Sequence, residues 1–201
     1  MARTYTLKKR AEQQAETRNR IVEAAVELHS TIGPSETTLS MIAEKAGVQR
    51  HTLYAHFPDE RSIFQACSGR VHERDPSPTA DAWRGIAGRT ERLTAALTDI
   101  YGWYERNAQL LSNIMRDVDR HPMLQEIQKA REPTFQGWRD VLGEKLNADQ
   151  RIMLQVALSF FTWRTLTKQA GIKQAAAVRL MVEAVLRAWI PGSLASARAP
   201  E

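Results

Sequence analysis

The stretch from Thr38 to Phe57, TLSMIAEKAGVQRHTLYAHF, decides how the rest of the chain is read. Leu39, Ile42 and Ala43 share one helical face, so residues 38–45 are predicted as a short helix capped by Thr37 or Thr38. Ala46-Gly47-Val48 is a tight turn, and Gly47 can take the positive φ that such a turn needs. A second short helix is predicted from about Gln49 to Tyr54. Ala43 is small enough for the two helices to cross closely, and Val48 and Leu53 point into a shared core. Gln49, Arg50, His51, Thr52, Tyr54 and His56 are left on or near the open side. Such side chains can donate to phosphates or read base edges. On spacing alone the segment is either a DNA-binding helix-turn-helix or a helical hairpin with a polar surface.

Upstream, residues 17–32 are predicted as a helix that buries Ile21, Ala24, Ala25, Leu28 and Ile32. Glu12, Glu16, Glu23 and Glu27 fall on its opposite face, and Gly33-Pro34 ends it. Downstream, Pro58 starts a helix that runs to about His72, with Asp59 and Glu60 in its first turn, where the helix dipole favours acids. Asp75-Pro76-Ser77-Pro78-Thr79 is a cluster of helix breakers and the best domain boundary. Beyond it, helical stretches are expected at 80–106, 108–119, 122–144, 148–169 and 174–190. No alternating strand pattern or Asn-Gly or Asp-Gly hairpin turn occurs. The expected fold is therefore all-α. It comprises a flexible basic arm at 1–14, a helix-turn-helix domain at 15–74, a helical bundle at 75–192 and a flexible tail at 193–201.

Residues 38–48, followed by Thr52-Leu53-Tyr54-Ala55-His56-Phe57 and then Ile63-Phe64, resemble the DNA-binding domain of the TetR family of bacterial regulators. The resemblance covers roughly residues 15–70. It implies an all-α homodimer whose third helix enters the major groove of an operator, with a divergent C-terminal domain that dimerises and binds a small-molecule effector. It also implies that Thr38 sets its hydroxyl and helix N-terminus on a phosphate, and that Thr52, Tyr54 and His56 are mainly phosphate contacts. Gln49, Arg50 and His51 would face base edges, with Arg50 the reader of guanine. The sequence departs from the family pattern twice. His51 stands where the family often has a small residue, and Glu60 where it often has a lysine. Arg61 follows Glu60 and could substitute for that lysine as a phosphate contact.

Charge agrees with DNA binding without establishing it. The 201 residues carry a formal net charge of +5. Residues 1–10 hold four cations (Arg3, Lys8, Lys9 and Arg10) and no acid, whereas residues 11–61 hold five cations and eight acids. No block of the body is a basic patch, so the arm either reaches DNA or is a solubilising tail. A lone Cys67 excludes a disulfide scaffold and a multi-cysteine zinc site, and fits a reducing compartment. The longest charge-free apolar run, Ile152 to Trp163, is shorter than the roughly 20 residues a membrane span needs. The N-terminus lacks the apolar core of a secretory signal, and the cytoplasm is the expected location.

Beyond residue 150 the helices are apolar on most sides and need two burial partners. A homodimer through a four-helix bundle is expected, with Phe161, Val178, Met181, Val182, Val185 and Trp189 at its interface. All five tryptophans lie beyond residue 80, and aromatic residues with methionine suit an apolar or aromatic effector. Trp103, Met115, Trp138 and Phe160 are the candidate pocket residues, against the alternative of ordinary core packing. No nucleophile elbow, phosphate loop, dinucleotide fingerprint or zinc spacing occurs, so neither catalysis, a metal nor a cofactor is expected. Two other readings remain: a helical protein-interaction module, and a DNA-binding activator without an effector.

Overall fold

The computed structural model describes the backbone of residues 2–189 and the side chains of residues 8–189; among these residues every regular element is helical. The elements are α1 (Ala2–Thr31), a 3-10 turn (Pro34–Glu36), α2 (Leu39–Lys45), α3 (Arg50–His56), α4 (Glu60–Arg74) and α5 (Asp81–Arg84). There follow α6 (Arg89–Arg106), α7 (Ala108–Asp117), α8 (Pro122–Leu142), α9 (Ala148–Ala157), α10 (Phe160–Arg164), a π-helical turn (Thr165–Gln169) and α11 (Gln174–Arg187). The chain divides into two compact units, residues 1–76 with 109–129 and residues 77–108 with 130–201.

In the first unit α1 begins well before the apolar periodicity does, so the segment expected as a flexible arm is helical from Ala2. No Gly or Pro interrupts Ala2–Thr31, and Ala, Lys, Arg, Glu and Gln favour helix whether or not they are buried. Ile21, Ala25, Ile42, Leu53, Phe57 and Ile63 form the centre of the core, drawn from α1, α2, α3 and α4. Burying each of the large side chains among these, Ala25 excepted, stabilises the unit by about 1.5–3 kcal/mol. The start of α4 falls at Glu60 because Asp59 is its cap: the carboxylate accepts from Ser62 N–H at 2.7 Å. That bond holds the Asp59 carboxyl below its usual range.

Residues 109–129, expected within the C-terminal half, belong to this first unit. The reason is polar as well as apolar. The last carbonyls of a helix lack intrahelical partners. Asn113 Nδ2 donates to the carbonyls of His29 and Ser30 at 3.2 and 2.8 Å, and Arg116 Nη2 donates to that of Ile32 at 3.0 Å. Asp117 accepts from Ser35 N–H at 3.0 Å. Val118 and Leu124 pack with Phe64.

In the second unit two expected helices are broken. The 80–106 stretch divides between α5 and α6 around Gly85 and Gly88, where glycine disfavours helix. The 148–169 stretch breaks at Leu158 and Ser159, and the Ser159 hydroxyl caps α10 by accepting from Phe161 N–H at 3.2 Å. The tyrosine hydroxyls of α6 stabilise this break. Tyr101 donates to the Ala157 carbonyl at 2.8 Å and Tyr104 to that of Leu158 at 2.6 Å. α11 packs along α6 and α9. Among the described residues no helix is long and apolar enough to cross a membrane. The expected tail at 193–201 lies outside the described residues.

Candidate nucleic-acid interface

The turn between α2 and α3 depends on Gly47, whose φ of 64° lies in the left-handed region. With the chain reversed there, Ala43 and Leu53 are buried and Val48 packs half-buried against the same core. Anchoring Leu53 inward turns the opposite face of α3 outward. Gln49, Arg50, His51 and Tyr54 are exposed, and Thr52 and His56 are half-buried. The Gln49 backbone caps α3 while its side chain makes no capping bond, which leaves the amide available to a partner. All six residues chosen from the sequence therefore lie on or at the start of one short helix.

The other two candidates have structural tasks. Thr38 caps α2, its hydroxyl accepting from Met41 N–H at 3.2 Å, and it remains exposed. Arg61 is exposed but forms an ion pair with Glu126, so a phosphate would have to compete for its guanidinium. Lys45 pairs with Glu27 at 2.7 Å, and Arg18 sits 4.6 Å from the centre of the Phe57 ring. Cys67 is buried in the core, and burial together with the nearby Glu23 pushes its thiol up to about 12, so it is no thiolate. Among the described residues no group of His, Cys, Asp and Glu could hold a metal ion.

The three candidate pocket residues of the second unit fall into two clusters. Trp103 and Phe160 are buried beside Tyr104, at ring separations of 5.6 and 5.5 Å from it. Trp138 belongs to a separate cluster, 6.1 Å from Trp83 and 5.0 Å from Phe135. Met115 is part of the first unit. Aromatic content shows only that the rings concentrate beyond residue 80; which of them pack together depends on how the helices are broken.

The expected interface residues also divide. Phe161 and Trp189 are 54% and 68% exposed, and Met181 is half-buried. Val178, Val182 and Val185 are instead buried in the unit's own core, which corrects their assignment to a dimer interface. They recur at i, i+4 and i+7, the spacing of a single inward stripe, and α11 turns that stripe toward the chain. Ile152, Val156 and Leu180, outside the expected interface set, are also large, apolar and exposed. The i, i+4 spacing of Ile152 and Val156 was the available signal. In a helix apolar on most sides, that spacing does not say which side meets the chain's own core.

Comparison with known proteins agrees with this geometry. The model of the bacterial regulatory proteins of the tetR family matches residues 21–67, the span from the core of α1 through α3 to Cys67. The TtgW regulator of Pseudomonas putida is 37% identical over 93 residues, which cover 46% of this chain and 68% of that protein. The SrpR regulator of Pseudomonas putida is 38% identical over 93 residues, and the match spans 43% of its length. A TetR-like transcriptional regulator from Rhodococcus sp. RHA1 shares the fold with a TM-score of 0.63 and 21% identity, over 85% of this chain and 94% of that one. The chain belongs to the tetR family of bacterial regulatory proteins.

Proposed function

We propose that this chain acts as a homodimeric, ligand-responsive DNA-binding regulator that places α3 of each subunit in the major groove of a palindromic operator. The observation that carries the reading is the outward face of α3, where Gln49, Arg50, His51 and Tyr54 stand exposed over a core anchored by Leu53. Arg50 and its neighbours supply base-edge donors, and Thr38, Thr52, Tyr54 and His56 supply phosphate contacts. Ile152, Val156, Phe161, Leu180 and Trp189 support dimerisation, because so many exposed large apolar side chains in one unit call for a second burial partner. Repression is the simplest sign of regulation: a dimer on an operator excludes other proteins from the same DNA. An apolar or aromatic effector in the second unit would shift the dimer toward an arrangement with lower operator affinity.

Selection of bound duplexes from random sequence tests the reading. The expected product is a palindrome whose half-sites lie about 34 Å apart, one turn of DNA. Its affinity should fall steeply as salt rises, since phosphate contacts release counterions. Failure to enrich any sequence over the starting pool would overturn the proposal.

A further inference from the structure

Two buried indoles in the second unit are satisfied by the chain, and that of Trp163 is not. Trp83 Nε1 donates to the Asp99 carboxylate at 2.8 Å, and Trp138 Nε1 donates to the Pro78 carbonyl at 2.8 Å. Trp163, on α10, is 0% exposed, and no acceptor among the described residues reaches its Nε1–H. Buried donors without partners are rare in folded proteins, and each needs an explanation.

The backbone around Trp163 is irregular on both sides. The helix breaks at Leu158 and Ser159, one turn before it, and widens into the π-helical turn Thr165–Gln169 immediately after it. Such π turns cluster at functional sites. The nearest rings are Phe160 and Tyr104, with centroids at 5.4 and 5.9 Å. Lys168 lies 5.5 Å from the centre of the Trp163 ring, with its ammonium paired to Glu105.

We infer that Trp163 Nε1–H anchors a small-molecule site, and that its ligand is an aromatic, otherwise apolar molecule carrying a neutral acceptor such as a carbonyl oxygen. The rings supply the apolar part of the site and the indole N–H supplies its directional contact. A carboxylate would fit poorly, because the surrounding rings cannot replace its hydration and the neighbouring ammonium is already neutralised by Glu105. The inference rests on the reading of the chain as a ligand-responsive regulator and names the chemistry of the ligand.

The test uses the full chain with 15N-labelled indoles and two probes of nearly equal shape, 2-acetylnaphthalene and 2-ethylnaphthalene. In the free protein the Trp163 indole proton, assigned through its contacts with Phe160 and Tyr104, should resonate where unbonded indoles do. The ketone should move it downfield and bind about fivefold or more tightly than the hydrocarbon. Trp163→Phe should bind both probes alike. Three results would overturn the inference: an indole already bonded to a resident water, no preference for the ketone in the wild type, or a preference that survives Trp163→Phe. The free-protein resonance requires no variant. Operator binding on the same sample keeps the two readings apart, since its persistence alongside a negative probe result removes the indole site alone.

Discussion

His29, on α1, is 5% exposed, with its ring 4.8 Å from that of Phe64, which is itself 4.8 Å from His121. Burial, with a smaller contribution from His121, lowers its pKa from 6.5 to about 4. The unfolded chain therefore takes up a proton near pH 6.5 that the folded chain refuses until about pH 4. The resulting stability is fully present above pH 6.5 and is lost as the pH falls through that window, to a total of up to about 3 kcal/mol. Urea unfolding between pH 7 and pH 4.5 should show this loss, and His29→Leu should flatten that part of the profile. The exposed face of α3 carries a second prediction. Arg50→Ala should cost about 1–3 kcal/mol on the selected operator and relax base preference, whereas Tyr54→Phe should weaken all duplexes more evenly. Competition anisotropy with operator and scrambled DNA separates the two effects. An unchanged operator affinity for Arg50→Ala would remove it as the base reader.

Among the elements, α7 shows how a helix is recruited by hydrogen bonding. Its Asn113 is buried and takes up two carbonyls at the end of α1. Asn113→Ala leaves those groups without a partner and should destabilise the first unit by about 1–3 kcal/mol, read as a lower urea midpoint with an unchanged slope. A midpoint equal to the wild type would mean that water replaces the amide without loss. No sequence pattern announces this task, because an asparagine in a helix reads as a neutral surface residue. The short helices were legible for the opposite reason. Leu39, Ile42 and Ala43 sit at helical spacing, Gly47 marks the reversal, and the end of α1 is set by Gly33-Pro34. The break at Leu158 was illegible because Tyr101 and Tyr104, more than fifty residues away, stabilise it.

Across the whole molecule, the legibility of each site follows from how local its determinants are. The α3 face was read residue by residue because one turn and one buried leucine fix which way it points. The apolar surface of the second unit was read only as an excess, since Val178, Val182 and Val185 satisfy their own core while Leu180 does not. If that remaining surface is the dimer contact, a charge placed on one of its exposed side chains should separate the subunits without disturbing either unit's core. Leu180→Glu, at a position 46% exposed, should keep the helical circular dichroism signal and sediment as a monomer. With only one α3 per particle, affinity for the full palindrome should fall on the order of a hundredfold, because the second half-site no longer benefits from being tethered to the first. Val182→Ala, at a buried position of the same helix, should instead lower stability and leave the protein dimeric. A Leu180→Glu protein that still sediments as a dimer would place the contact elsewhere.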